Sequence, residues 1–186
     1  MIMPVLALVY ETHSLTTDNE EGIATGWLPG RLSAAGREQA RRLGERRRDD
    51  GLAAVFASDL GRAVETVELA FGGSGIPVLL DWRLRECDYG ELNGATADRV
   101  TALRAQHVDT PYPGGESYRQ VVERTSSFLD DLRRAWGGRR VCVVAHSANR
   151  WALDHLVYGT PLEELVDAPF EWQEGWEYVV GPCSPS

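Results

Sequence analysis

Two short runs of uninterrupted apolar residues constrain this chain most: residues 5–9, and Val141, Cys142, Val143 and Val144. A strand with one wet face alternates apolar and polar residues. A strand covered on both faces reads as a continuous apolar run, the mark of a parallel sheet sandwiched between helices. The intervening sequence fits that reading. Ser33 caps a helix expected over 34–50, and a second strand is expected over 53–57. Ser58 and Asp59 are expected to cap a helix in which Leu60, Val64, Val67 and Phe71 recur at near-helical spacing. A third strand is expected over 77–80, then a loop over 85–96. Helices over 97–106 and 116–136 flank a breaker cluster at 111–115. After the strand at 140–145 come a helix over 149–158 and a short last strand at 177–180. Strands alternating with helices give an α/β domain around a mostly parallel sheet. The 186 residues contain no repeat or long linker, so one domain over 1–186 is expected.

Composition narrows the chemistry. The 19 basic residues are all arginine, against 28 acidic ones, for a net charge of −9. A chain this acidic is a poor partner for nucleic acid or anionic membranes. The absence of lysine excludes a lysine Schiff base, a lysine nucleophile and a Gly-Lys-Ser/Thr phosphate loop. Arginine remains the permanent cation for an anionic ligand. Cys87, Cys142 and Cys183 form no CxxC pair, and the four histidines lack metal-ligand spacing. No Gly-x-Ser-x-Gly elbow or strand-linked Gly-x-Gly-x-x-Gly occurs, so neither a serine hydrolase nor a dinucleotide cofactor is indicated. Residues 1–9 lack a basic start, and no apolar run reaches membrane-span length; a cytoplasmic protein is the expectation.

In open α/β sheets ligands bind beyond the carboxyl ends of the strands. There the sequence places Thr12-His13-Ser14, then Ser58-Asp59-Leu60-Gly61-Arg62, then Arg85-Glu86-Cys87-Asp88, then His146-Ser147. Two histidines, an arginine in a first helical turn and a carboxylate on one edge suit phosphoryl transfer. That reaction needs a nucleophile, cationic stabilisation and an acid for the leaving group.

At these residues the chain resembles the histidine phosphatase superfamily, also called the phosphoglycerate mutase-like family. Counted from His13, Asn19 stands at the family's asparagine and Gly26-Trp27 at its Gly-Trp pair; Thr16 falls on its threonine. Leu32 to Ala40 resembles the family's Leu-Thr-x-x-Gly-x-x-Gln-Ala, and Ser58 to Thr66 the segment with its second arginine, here Arg62. Leu84-Arg85-Glu86 with Tyr89-Gly90 resembles the proton-donor segment. Pro113-Gly114-Gly115-Glu116-Ser117 is similar to another family stretch, and Val144-Ala145-His146-Ser147 to the second-histidine segment. The resemblance implies a three-layer α/β sandwich without metal or cofactor, in which His13 is phosphorylated. Arg62 and His146 would stabilise charge, and Glu86 would serve as proton donor. Thr12, Ser14, Asn19 and Ser147 are expected to contact substrate.

The departures also matter. Thr12 replaces the family's first arginine, Ser14 its glycine and Leu15 its glutamate. A second register puts Glu11 on the nucleophile, but it needs a two-residue gap that His13 does not; Glu11 is then expected to face the site or solvent. Arg31, Arg83, Arg85 and Arg150 are candidates for the missing charge. The expected activity is a phosphohydrolase, or a mutase, acting on a small phosphorylated metabolite. Two alternatives stand beside it: a changed reaction on a carboxylate metabolite, and an inactive phospho-ligand binder. A homodimer is compatible with the sequence. Trp151, Trp172 and Trp176 are read as core or rim, His107 and His155 as structural or exposed, and Arg46-Arg47-Arg48 as a solvated helix end.

Overall fold

The computed structural model describes residues 5–181; Cys183 lies outside them. The chain runs β1 (Leu6–Thr12), α1 (Thr17–Glu20), β2 (Ile23–Ala24), α2 (Ala34–Arg47), β3 (Ala54–Ala57), α3 (Gly61–Phe71), β4 (Val78–Leu80) and β5 (Ala95–Thr96). It continues through α4 (Ala97–Leu103), a 3-10 turn (Arg104–His107), α5 (Tyr118–Trp136), β6 (Arg140–Ala145), α6 (Ser147–Tyr158), α7 (Leu162–Asp167) and β7 (Trp176–Val180).

The main sheet has the order β4-β3-β6-β1-β7. The first four strands are mutually parallel, and β7 closes one edge antiparallel to β1. The two apolar runs lie side by side in its middle, where both faces are covered. On one face Leu6, Leu8 and Tyr10 of β1 pack with Phe128, Leu129 and Leu132 of α5 and Leu153 of α6. On the other, Val9 packs with Leu43 of α2 and Val67, Ala70 and Phe71 of α3. This is the expected three-layer sandwich, and it directs the carboxyl ends of four parallel strands to one edge.

Local chemistry fixes the ends of the helices. The Ser33 hydroxyl accepts from the Gly36 amide at 3.1 Å, as expected for the cap of α2. The cap of α3 differs from expectation. Leu60 is the N-cap residue, while Ser58 accepts from its amide and Asp59 pairs with Arg85 at 2.7 Å. The expected helix over 97–106 divides into α4 and the 3-10 turn. Helices α1 and α7 and the small β2–β5 pair were not among the expected elements.

Candidate active site

The register of β1 against β6 pairs Thr12 with Ala145, so the next residues, His13 and His146, leave adjacent strands together. The His13 amide donates to the Ala145 carbonyl at 2.9 Å, extending the ladder by one bond. The two imidazole centroids lie 5.0 Å apart. The Tyr10 hydroxyl donates to the His146 carbonyl, anchoring the second histidine from the strand of the first.

Arg62 reaches both rings from the first turn of α3. It is 2% exposed. Its Nε donates to His13 Nε2 at 3.3 Å, and its Nη2 to His146 Nδ1 at 3.3 Å and the Gly26 carbonyl at 2.9 Å. A guanidinium only donates, so these bonds fix both tautomers. His13 carries its proton on Nδ1, which donates to the Ser14 carbonyl at 2.8 Å, and keeps its lone pair on Nε2. His146 accepts at Nδ1 and carries its proton on Nε2. Buried Arg62 Nη1 and His146 Nε2 have no partner within the protein. Donors left unsatisfied in this way are poised for a ligand.

Burial, reinforced by the Arg62 charge, pushes His13 down to about 3. The same causes, with the two histidines opposing one another, hold His146 well below the usual histidine range. Both rings are therefore neutral near pH 7, and His13 Nε2 is available as a nucleophile.

Glu86 arrives from the loop after β4 and settles on the start of α6. That helix lacks a side-chain cap of its own. Glu86 Oε1 accepts from the Cys87 amide at 2.8 Å and the Ala148 amide at 3.3 Å, and Oε2 accepts from the Ser147 hydroxyl at 3.1 Å. The carboxylate thus occupies the electropositive end of a helix that starts beside His146. Its backbone is held as well. The Glu86 carbonyl accepts from the Trp27 indole at 2.7 Å and from Arg124 Nη2 at 2.9 Å. Arg124 is itself ion-paired with Glu116 at 3.0 Å.

One cavity of about 360 Å³ gathers most of the expected residues: Thr12, His13, Asn19, Arg62, Glu86 and Ser147. Asn19 Oδ1 is committed to the Thr16 amide in the capping box of α1, leaving its Nδ2 to turn toward a ligand. Ser14 is buried and is not part of this wall. Its carbonyl orients His13, and its amide donates to Thr66 Oγ1 at 3.0 Å.

Glu11 faces neither the site nor solvent. Strand alternation turns it toward α2, where it pairs with Arg47 at 2.8 Å and Arg46 at 3.4 Å. Burial raises its pKa in spite of these partners. Arg46 and Arg47 are therefore more than a solvated helix end. Three of the arginines considered for the missing charge are already paired: Arg83 with Asp81 and Asp131, Arg85 with Asp59, and Arg150 with Asp154. Arg31 is exposed and does not line the cavity.

The sequence reading missed Gln39, Tyr89, Arg104 and Phe170 on the cavity wall, and treated Trp172, also on that wall, as core or rim. Trp151 and Trp176 are buried, as expected. His107 stacks on Tyr112, and His155 bonds to the Thr160 carbonyl.

Comparison with known proteins fits this geometry. Residues 12–173 match the family model described as histidine phosphatase superfamily, branch 1. A probable phosphoglycerate mutase, GpmB, of Salmonella typhi is 32% identical over 157 residues, covering 80% of this chain and 73% of that protein. The structure of Bacillus stearothermophilus YhfR superposes with a TM-score of 0.80 at 30% identity, covering 91% of this chain and 88% of YhfR. A mycobacterial glucosyl-3-phosphoglycerate phosphatase superposes with a TM-score of 0.77 at 28% identity, over 87% of this chain and 84% of that one.

Proposed function

The chain belongs to the histidine phosphatase superfamily, and from that premise we propose that it is a metal-independent phosphohydrolase that cleaves a small phosphorylated metabolite through a phosphohistidine on His13. One observation carries the reading. Arg62 holds the lone pair of His13 at Nε2 on the cavity wall, while its own Nη1 and the Nε2 proton of His146, buried behind that wall against the His13 ring, are left without partners. A nucleophile flanked by unsatisfied donors is the arrangement that phosphoryl transfer needs.

The bound phosphoryl group accepts hydrogen bonds from Arg62 Nη1, His146 Nε2 and Asn19 Nδ2. His13 Nε2, released from its hydrogen bond as Arg62 Nε turns to the phosphoryl oxygens, attacks phosphorus in line, forming a P–N bond as the bond to the alcohol oxygen breaks. That oxygen takes a proton from Glu86 Oε2, which acquires it from solvent as the anionic ester binds and regains it from water in the second step. The Ser147 hydroxyl, which donates to this oxygen in the free protein, turns to accept while the proton is there. The resulting Glu86 carboxylate then removes a proton from water. The hydroxide attacks phosphorus, the P–N bond breaks, and phosphate leaves with His13 neutral. Charge stabilisation and positioning supply most of the rate. Thr12 gives the phosphoryl group a neutral hydroxyl where the family places a cation. The charge-assisted contact thereby lost is worth about 1.5–3 kcal/mol.

Phosphate release from a panel of phosphomonoesters, measured in chelator, tests this reading. Wild-type turnover is expected on at least one ester, with loss of a thousandfold or more in His13→Ala, since removing a nucleophile typically costs that much. Glu86→Gln is expected to keep the first-turnover release of phenol from aryl esters, whose leaving groups need no proton, to slow hydrolysis of the phosphoenzyme, and to abolish alcohol release from alkyl esters. Equal loss of first-turnover leaving-group release on both ester classes would refute the proton-donor role, and turnover by His13→Ala the nucleophile.

A further inference from the structure

With threonine at position 12, and with Arg83, Arg85 and Arg150 paired elsewhere, Arg62 is the guanidinium that serves the two histidines. Another arginine stands in a cleft beside His13. Gln39 and Arg46, at i and i+7 on one stripe of α2, line a small cleft of about 10 Å³ against the end of β1. This cleft shares Thr12, His13, Gln39 and Trp172 with the catalytic cavity. Arg46 is loosely held there. Its Nη2 lies 3.4 Å from Glu11 and its Nη1 3.7 Å from the exposed Glu174, and its buried Nε bonds to nothing within the protein. Arg47 has the closer contact with Glu11, at 2.8 Å, so that buried carboxylate keeps a cation when Arg46 leaves. The sheet ladder runs on to the His13 amide, so Glu11 and His13 fall on one face of the strand. Two strand residues span about 7 Å, a distance that rotation of an arginine side chain covers.

We propose that Arg46 is the cation that stands in for the arginine missing at position 12. When the phosphomonoester binds, its guanidinium turns from Glu11 and Glu174 toward His13 and donates to a phosphoryl oxygen. The proposal rests on the phosphohydrolase reading and adds to it an anion-binding residue from α2. A phosphoryl dianion attracts the guanidinium more strongly than a carboxylate already shared with Arg47, and the planar fork suits two of its oxygens. Glu11 is then a positioning residue. In the free protein it holds the guanidinium two strand positions before the nucleophile.

The test is equilibrium binding of inorganic phosphate, by calorimetry, to the wild type, Thr12→Arg, Arg46→Gln and the double variant. Inorganic phosphate has no ester bond to cleave, so binding is read apart from hydrolysis. Arg46→Gln is expected to weaken binding about tenfold, as loss of one charge-assisted contact does. In the Thr12→Arg background the same substitution is expected to change affinity by less than about threefold, because the arginine restored at position 12 already meets the phosphoryl group. A purely structural role, or a long-range effect of charge, gives equal losses in both backgrounds and would overturn the proposal. No loss in either background, or no saturable phosphate binding by the wild type, would overturn it too. Glu11→Gln, which releases Arg46, is expected to tighten phosphate binding in the wild type but not in Arg46→Gln; tightening that persists without Arg46 would contradict the positioning role. If Arg46→Gln does not fold, Arg46→Met, with an unbranched stem, takes its place. Arg46-dependent phosphate binding in a protein that releases no phosphate from esters would uphold the proposal and refute the hydrolase. Ester turnover with a phosphate affinity indifferent to Arg46 would do the reverse.

Discussion

Arg62 donates to both histidines, so replacing it changes two rings at once. Lysine has one compact ammonium and cannot reproduce the fork. Arg62→Lys is expected to lower kcat/KM by about a hundredfold or more, the scale seen when one transition-state donor is lost. Recovery to near wild-type rates would show that a charge suffices and the fork does not matter. Acid behaviour follows from the same residues. His13 is held at about 3, against an ordinary value near 6.5. Between those values the unfolded chain binds a proton that the native one refuses, so this stability is intact above the ordinary value and falls as pH drops. The depression at His146 has the same sign. Thermal melting across that window should therefore fall more gently with pH in His13→Asn than in the wild type. Activity should also lack an acid limb at the usual histidine pKa caused by protonation of His13.

Elements hold these residues in place. The loop carrying Glu86 is clamped by Arg124 of α5, which bonds the Arg83 and Glu86 carbonyls and pairs with Glu116. Arg124 is buried, so Arg124→Met leaves Glu116 without its partner and the two carbonyls without their donor. A loss of about 3 kcal/mol is expected, as for a broken buried pair. If the clamp positions Glu86, the surviving folded enzyme should lose first-turnover alcohol release from alkyl esters more than phenol release from aryl esters. Uniform loss would make Arg124 purely structural. Helix α2 is fitted to the loop after His13 just as tightly. A Cβ at Gly36 would lie 1.8 Å from the Leu15 carbonyl oxygen, two residues beyond His13. Gly36→Ala is therefore expected to cost about 2 kcal/mol or more through overpacking and to lower turnover with it, checked by denaturant melts and initial rates.

Across the whole molecule, legibility in the sequence tracked how strongly each element depends on periodic burial. Strands β1, β3 and β6 are buried on both faces, so their apolar runs announced them, and the edge where they end located His13, Arg62 and His146. Strands β2 and β5 are two residues each, too short to show a period. The capping box from Thr16 to Asn19 is a readable signal for α1. Glu11 was misjudged because its partners, Arg46 and Arg47, lie a full helix away in sequence. The central claim is a covalent phosphoryl group on His13, and it is most directly tested by rapid acid-free quench of Glu86→Gln turning over an aryl phosphate. There the leaving group departs without a proton, but water lacks its base. Peptide mapping by mass spectrometry is expected to find an acid-labile, base-stable phosphoryl group on His13. Turnover with no phosphoenzyme, or with the label on Ser14 or any residue other than His13, would contradict it.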